Sequence, residues 1–214
     1  MMNKILFVEA SPRGAASKST QLANEYLETL SRAGAGVEVD HLKIWEADLP
    51  TFDGDKVAAK MAVIGGQEQS ASEKTAWEQI SEIAGRFASA DRYVFSVPMW
   101  NGGIPYRLKH YIDIVHQPGI LWGLTPDAGY FGLLKNKHAT LVLTAGAYSP
   151  DFPAPAFGVD HQSTYLHDWL TQAGVEQIDE VRFQPTLLTA TPEADFEKAK
   201  RAAIGLAEQH SSTF

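Results

Sequence analysis

Residues 93–115 read YVFSVPMWNGGIPYRLKHYIDIV. The run Tyr93-Val94-Phe95-Ser96-Val97 is apolar almost without alternation, as a strand covered on both faces is. It stops at Pro98 and passes through Met99, Trp100, Asn101, Gly102 and Gly103 into a segment opened by Pro105. From there Ile104, Leu108, Tyr111, Ile112 and Val115 form a single helical stripe. Strand, polar turn and amphipathic helix make one βα unit, and the fold depends on whether that unit recurs.

It does recur. Lys4–Ala10 (KILFVEA) reads as a buried strand, followed by Leu22, Tyr26, Leu27 and Leu30 at helical spacing up to the helix-ending Gly34 and Gly36. Val37–Ile44 reads as a second strand, and Trp77, Ile80, Ile83, Ala84 and Phe87 mark one face of a later helix. Tyr93–Val97 is the third strand and His138–Thr144 the fourth. Tyr165, Leu166, Trp169 and Leu170 predict another helix, Val175–Phe183 a fifth strand and Ala194–His210 a closing helix. Strands alternating with helices predict an α/β domain over residues 1–214: a doubly wound five-stranded parallel sheet with helices on both faces. The usual five-stranded arrangement is flavodoxin-like, order 2-1-3-4-5. Residues 117–135 (QPGILWGLTPDAGYFGLLK) show no clear period, and loops of that length are usually functional.

With 214 residues, 44% hydrophobic and 21% charged, the chain is long enough to bury a full core in a single domain. The absence of cysteine excludes disulfides, thiolate metal sites and cysteine nucleophiles. The N-terminal apolar run is too short for a signal-peptide core or a membrane span, so a cytoplasmic protein with no membrane partner is expected. A net charge of −8, with basic residues interspersed among acidic ones, argues against nucleic acid. Between Ala10 and Asn24, however, the only charges are Arg13 and Lys18, as suits a loop that holds an anion.

In such sheets ligands bind beyond the carboxyl ends of the strands. The first of those loops leads into a helix N-terminus carrying Ser17, Lys18 and Ser19, where free N–H groups, hydroxyls, the helix dipole and a cation converge as in a phosphate cradle. The same residues also suit a plain N-cap. G-x-G-x-x-G is absent, which argues against a Rossmann dehydrogenase, and Asp40 reads as a solvated strand end rather than a ribose-binding acid. In the second loop Gly102 and Gly103 allow close approach to main chain, Asn101 offers hydrogen bonds and Trp100 gives a wall, an arrangement suited to a flat heteroaromatic. Seven histidines invite a metal reading, but His110/His116 and His161/His167 are six apart rather than three or four, so solvated or capping roles and no metal are expected.

Three segments resemble the FMN-dependent NADH-azoreductases, flavodoxin-like quinone reductases, over nearly the whole chain. They are Ser11-Pro12-Arg13-Gly14 with Ser17-Lys18-Ser19; Pro98-Met99-Trp100-Asn101 with Ile104-Pro105, Leu108-Lys109 and Ile112-Asp113; and Thr144-Ala145-Gly146-Ala147-Tyr148. The resemblance implies FMN phosphate held by Ser11, Ser17, Lys18 and Ser19. It implies the ring held by Met99, Trp100, Asn101 and Gly102 on one side and by Thr144, Ala145, Gly146 and Ala147 on the other. The family often has an aromatic where this chain has Gly102, and Ser-Arg-Gly-Gly where it has Thr144-Ala145-Gly146-Ala147, so backbone contacts transfer better than side-chain ones. The implied chemistry is two-electron and ping-pong, from NADH or NADPH through flavin N5 to a quinone or azo acceptor, with no catalytic side chain demanded. Trp122 and Trp169 resemble aromatic positions of the family's substrate face, Tyr148 and His161 are possible donors to substrate, and a homodimer is implied. A flavodoxin-type one-electron carrier is the alternative.

Overall fold

In a computed structural model that describes residues 3–34 and 36–212, the chain runs β1 (Asn3–Glu9), α1 (Lys18–Arg32), β2 (Val37–Lys43), α2 (Gly54–Gly65), α3 (Ala71–Ser89), β3 (Arg92–Pro98), α4 (Tyr106–Val115), β4 (Trp122–Thr125), β5 (Gly129–Gly132), β6 (His138–Thr144), α5 (Ser163–Ala173), β7 (Gln177–Phe183) and α6 (Pro192–Ser211). The order of the five-stranded sheet is β2-β1-β3-β6-β7, parallel throughout. It is the expected arrangement, with β6 and β7 standing as the fourth and fifth strands.

Alternation along each strand divides the core. Ile5, Phe7, Val94, Val142 and Val181 face α1 and α6, while Leu6, Val8, Tyr93, Phe95, Leu141 and Leu143 face α3, α4 and α5. Phe87 of α3 stacks on Tyr93 at 4.3 Å, fixing that helix to β3. The helix begins with a capping box, Ser70 accepting from Glu73 N and Glu73 accepting from Ser70 N. At the edge strand, Asp40 receives two bonds from Arg86 (2.5 and 3.0 Å) and an ion pair from Lys4. The Arg86 guanidinium holds its carboxyl below the usual range. Asp40 is thus a paired structural carboxylate rather than a solvated one.

Two elements differ from the sequence expectation. Residues 117–135 contain the antiparallel hairpin β4–β5, seated where Gly132 meets the end of α5: a Cβ on Gly132 would lie 2.2 Å from Gly174 N. Helix α2 lies in a stretch given no element by its pattern, because it turns Val57, Met61 and Ile64 outward and buries Ala59 and Ala62.

At the amino ends of the strands, His138 Nε2 lies 2.7 Å and His210 Nε2 3.2 Å from the same Asp179 oxygen. Tyr26 OH meets His210 Nδ1 at 2.7 Å, and an Arg92 nitrogen lies 2.9 Å from His138 Nδ1. These histidines, 72 positions apart, are buried or half-buried, which corrects the expectation of solvated histidines. The three polar groups are close enough to suggest a metal. However, the Arg92 donor occupies the Nδ1 lone pair of His138, which places the ring proton on Nε2 and makes it a donor to Asp179. Burial pushes His210 down to about 4 and lowers His138 as well. Burial raises Asp179, but the His138 hydrogen bond and its companions more than reverse this, leaving its carboxyl below its usual value. A histidine with a depressed folded pKa takes up its proton on unfolding, so the unfolded chain binds more protons below about pH 6.5. Stability should therefore decline as pH falls from about 6.5 to about 4. Urea unfolding across that range checks this, with His210→Gln lessening the decline while His138 and His116, the latter also lowered to about 4, continue to contribute; a flat wild-type profile would refute it.

Candidate functional site

Parallel strands place the loops after β1, β3, β6 and β7 along one rim. Ser11, Ser17 and Lys18 from the first, Met99 and Trp100 from the second, and Thr144, Ala145 and Gly146 after β6 line a cleft of about 190 Å³. Pro12, Arg13, Pro98 and Thr186 complete its lining. Hydrogen bonds continuing past the strand ends hold the loops together: Ala10 N to Ser96 O at 3.0 Å and Met99 N to Thr144 O at 2.7 Å.

The start of α1 breaks an ordinary rule of helix capping. Ser17 occupies the N-cap with extended backbone, yet its hydroxyl makes no capping bond and instead meets Ser19 Oγ at 3.0 Å. The first intrahelical bond runs from Gln21 N to Ser17 O, so the N–H groups of Lys18, Ser19 and Thr20 have no acceptor within the helix. No acidic residue occupies this turn. Donors and dipole therefore favour an anion there, and Ser17 holds the N-cap position without making the capping bond. Ser19 is fully buried, does not line the cleft, and its hydroxyl meets that of Ser17. The Lys18 ammonium is held by Gln21 Oε1 at 3.2 Å and lies 4.0 Å from the Phe196 ring centroid, so it sits at α6. Beneath the loop the buried Glu9 carboxylate pairs with His41 Nε2 at 2.8 Å.

The second loop answers the question set by Asn101-Gly102-Gly103. Trp100 and Gly103 exchange both main-chain hydrogen bonds, at 2.8 and 2.9 Å, around Asn101 (φ 49°) and Gly102 (φ 82°). Positive φ at both central residues defines a type I′ hairpin turn, for which Asn-Gly is the favoured pair. The turn by itself therefore calls for glycine at 102, whether or not a ligand approaches there; the Gly102 carbonyl accepts from His161 N at 3.0 Å. The turn presents Trp100, 36% exposed, between the cleft and a larger groove of about 740 Å³ lined by Asn101, Phe52, Tyr106, Lys109 and His110. Trp45 supports it at 5.6 Å while donating from Nε1 to Ala10 O at 3.0 Å.

After β6, the carbonyls of Ala145 and Gly146 accept from Thr186 N (2.8 and 3.1 Å), and Gly146 O also accepts from Leu187 N at 2.9 Å. A trans peptide directs N–H opposite to C=O, so the N–H groups of Gly146 and Ala147 point away from the 186–187 segment. Ala147 itself is exposed and does not line the cleft. Tyr148 OH lies 3.4 Å from Asp160 Oδ2.

The two tryptophans expected on a substrate face are in the core, which corrects that expectation. Trp169 is 3% exposed and packs on Phe87 and Phe95 at 5.5 and 5.8 Å. Trp122 is 6% exposed and stacks on His116 at 5.9 Å. Each sits on the inward side of its element, where its large apolar area leaves water. Two residues at the rim escaped the sequence reading: Trp45 and Thr186. Thr186 could have been found, because in a parallel sheet the loop after the last strand shares the rim with the others.

The sequence model of the flavodoxin-like fold family matches residues 3–206. The chain is 49% identical over 201 residues to a Ruegeria pomeroyi protein named FMN-dependent NADH:quinone oxidoreductase, covering 94% of this chain and 98% of that protein. A protein of the same name from Desulfotalea psychrophila is 38% identical, with 97% and 98% covered. The crystal structure of a Bacillus anthracis FMN-dependent NADH-azoreductase in complex with FMN superposes with a TM-score of 0.83 at 25% identity, covering 98% of this chain and all (100%) of that one. An azoreductase from Bacillus anthracis strain Sterne gives 0.86 at 24%, covering 97% of this chain and 100% of that one, a likeness of fold.

The turn geometry makes a direct prediction. Gly102→Ala forces an L side chain to φ 82° and should lower unfolding free energy by about 1 kcal/mol or more. Asn101→Gly, compatible with the same turn, should change it by less than about 0.5 kcal/mol. Urea denaturation of the two variants distinguishes them, and equal stabilities would mean that the turn relaxes.

Proposed function

The chain belongs to the flavodoxin-like fold family and, within it, to the FMN-dependent NADH:quinone oxidoreductases, and from that premise we propose that it oxidises NADH and reduces quinones, with azo compounds as a second acceptor class. The observation that carries this reading is the convergence, in one cleft, of an uncapped helix N-terminus, a tryptophan wall and an exposed peptide edge. FMN, when bound, would supply the two-electron chemistry between NADH and the acceptor.

The residues present fit that group. The unpaired N–H groups of α1, the hydroxyls of Ser11 and Ser17 and the Arg13 guanidinium suit a phosphate monoester. Met99, Trp100 and Asn101 provide one margin for a planar ring, and Thr144 to Ala147 the other. The N–H groups of Gly146 and Ala147 would serve as donors to the edge of such a ring. They are held in place before reaction by Thr186 and Leu187. The groove beside Trp100, walled by Phe52 and Tyr106, admits flat molecules, so donor and acceptor occupy it in turn, a ping-pong order. No side-chain acid or base is required.

No described helix is long and apolar enough to cross a membrane; with NADH as donor, we place the reaction in the cytoplasm. We also propose a homodimer: Val57, Met61 and Ile64 of α2 and Leu124, Tyr130 and Phe131 of the hairpin are apolar and exposed. Sedimentation should give about twice the 23.4 kDa chain mass; a monomer at micromolar concentration would exclude the pairing.

The reading is tested on purified protein supplemented with FMN. It should become yellow, bleach on anaerobic addition of NADH, regain colour with a quinone, and consume NADH steadily when all are present. Flavin uptake without NADH consumption would instead identify a one-electron carrier, and failure to take up FMN would remove the proposal.

A further inference from the structure

We propose that Gln162, which lies outside the cleft, is a positioning residue that ties the flavin-binding loops together through Gln184 and thereby raises the reduction potential of the bound flavin. This rests on the FMN reading above and concerns a residue that none of the family motifs contains.

Gln162 immediately precedes α5 and is fully buried. Both ends of its amide are used. Nε2 donates to Val97 O at 2.9 Å, one residue before the Pro98-Met99-Trp100 segment. Oε1 accepts from Gln184 Nε2 at 2.9 Å, at the start of the loop after β7. Gln184 is itself oriented by Arg182, whose NH1 donates to its Oε1 at 3.0 Å. Two residues farther on, Thr186 N holds the carbonyls of Ala145 and Gly146. On the other side of Gln162, His161 N holds Gly102 O at 3.0 Å. The backbone of this segment is fixed in turn by Asp160, which accepts from Gln162 N at 3.1 Å and from Ser163 N at 2.8 Å while meeting Arg182 at 3.1 Å. One buried amide thus connects the loop carrying Trp100 to the loop that aims the Gly146 and Ala147 peptides.

Geometry gives this connection its consequence. A hydrogen bond weakens steeply as it bends or lengthens, and more is at stake when the acceptor bears charge. Oxidised flavin presents a neutral edge to Gly146 and Ala147, whereas two-electron reduction adds negative charge there. Donors left slightly misaligned therefore weaken the reduced form more than the oxidised one. Replacing Gln162 by an apolar residue leaves the Val97 carbonyl and the Gln184 amide without their partner and frees the 184–187 loop to shift. The phosphate end, built on α1, is untouched by this change. Affinity for oxidised FMN, to which that end contributes largely, should therefore survive.

The test measures the dissociation constants of oxidised and reduced FMN, and the midpoint potential, for wild type, Gln162→Leu and Gln184→Ala. Each variant should lose about tenfold more affinity for reduced than for oxidised FMN, equivalent to a potential about 30 mV more negative for a two-electron couple. The double variant should shift little further, because both changes cut the same link. Equal losses in both redox states at unchanged potential would make Gln162 a structural residue only and overturn the proposal, as would no change in either. Should Gln162→Leu fail to fold, Gln184→Ala, at a half-buried position, supplies the same reading. A wild-type protein that takes up no FMN refutes the underlying functional reading instead; wild-type binding with unshifted variants refutes this inference alone.

Discussion

Main-chain hydrogen bonding that runs on past the ends of a parallel sheet is the constraint on which the site depends. Within the sheet, register is enforced because both faces are buried and a slip would turn Phe7 or Tyr93 to the wrong layer. Beyond it, Ala10 N to Ser96 O, Met99 N to Thr144 O and Thr186 N to Ala145 O extend the pairing into four irregular loops. Those bonds make a rim of loops as well defined as the strands that feed it. They also decide which peptide groups remain available, since each carbonyl engaged by a neighbouring loop fixes the direction of the N–H across the same peptide.

The two ends of the sheet are put to different uses. At the carboxyl ends, local rules are left unsatisfied: α1 has an N-cap serine that does not cap, and a tryptophan is left partly in water. At the amino ends, the polar groups are drawn into a mutual cluster of His138, Asp179, His210 and Tyr26 with Arg92 beside it. Unsatisfied donors at one end and satisfied ones at the other are what separates a binding rim from a structural seam. The acidic character of the whole chain makes this contrast sharper, because no acidic residue among those described lines the cleft and Glu9, at the end of β1, is buried against His41.

Rigid aromatic packing and adjustable main chain are likewise divided. Phe87, Tyr93, Phe95 and Trp169 form one interlocked group between α3, α5 and β3. Trp45, Trp100 and Tyr106 form a second group at the rim, where an open face is retained for a flat molecule. After β6 the rim offers peptide groups rather than side chains, so a substitution there matters chiefly through the direction of those peptides, whereas Gly102 is fixed by the positive φ of its turn.

Sequence alone determined the alternation of five strands with helices, the boundaries of those five strands to within two residues, and the loops that meet at the cleft. These are local properties: apolar runs mark strands buried on both faces, and a repeat of three and four marks α1, α3, α4 and α5. The Ser11–Ser19 and Met99–Trp100 segments were legible for the same reason, since turn and helix-start chemistry is written in neighbouring residues. Tertiary structure alone decided that Trp122 and Trp169 face inward, that residues 117–135 fold into a hairpin against α5, and that α2 turns its apolar side outward. It alone brought His138 to His210 and Gln162 to both Val97 and Gln184. Those relations depend on which surfaces meet after the chain has closed over 65 positions between Val97 and Gln162, or 72 between the histidines, and no local period encodes them.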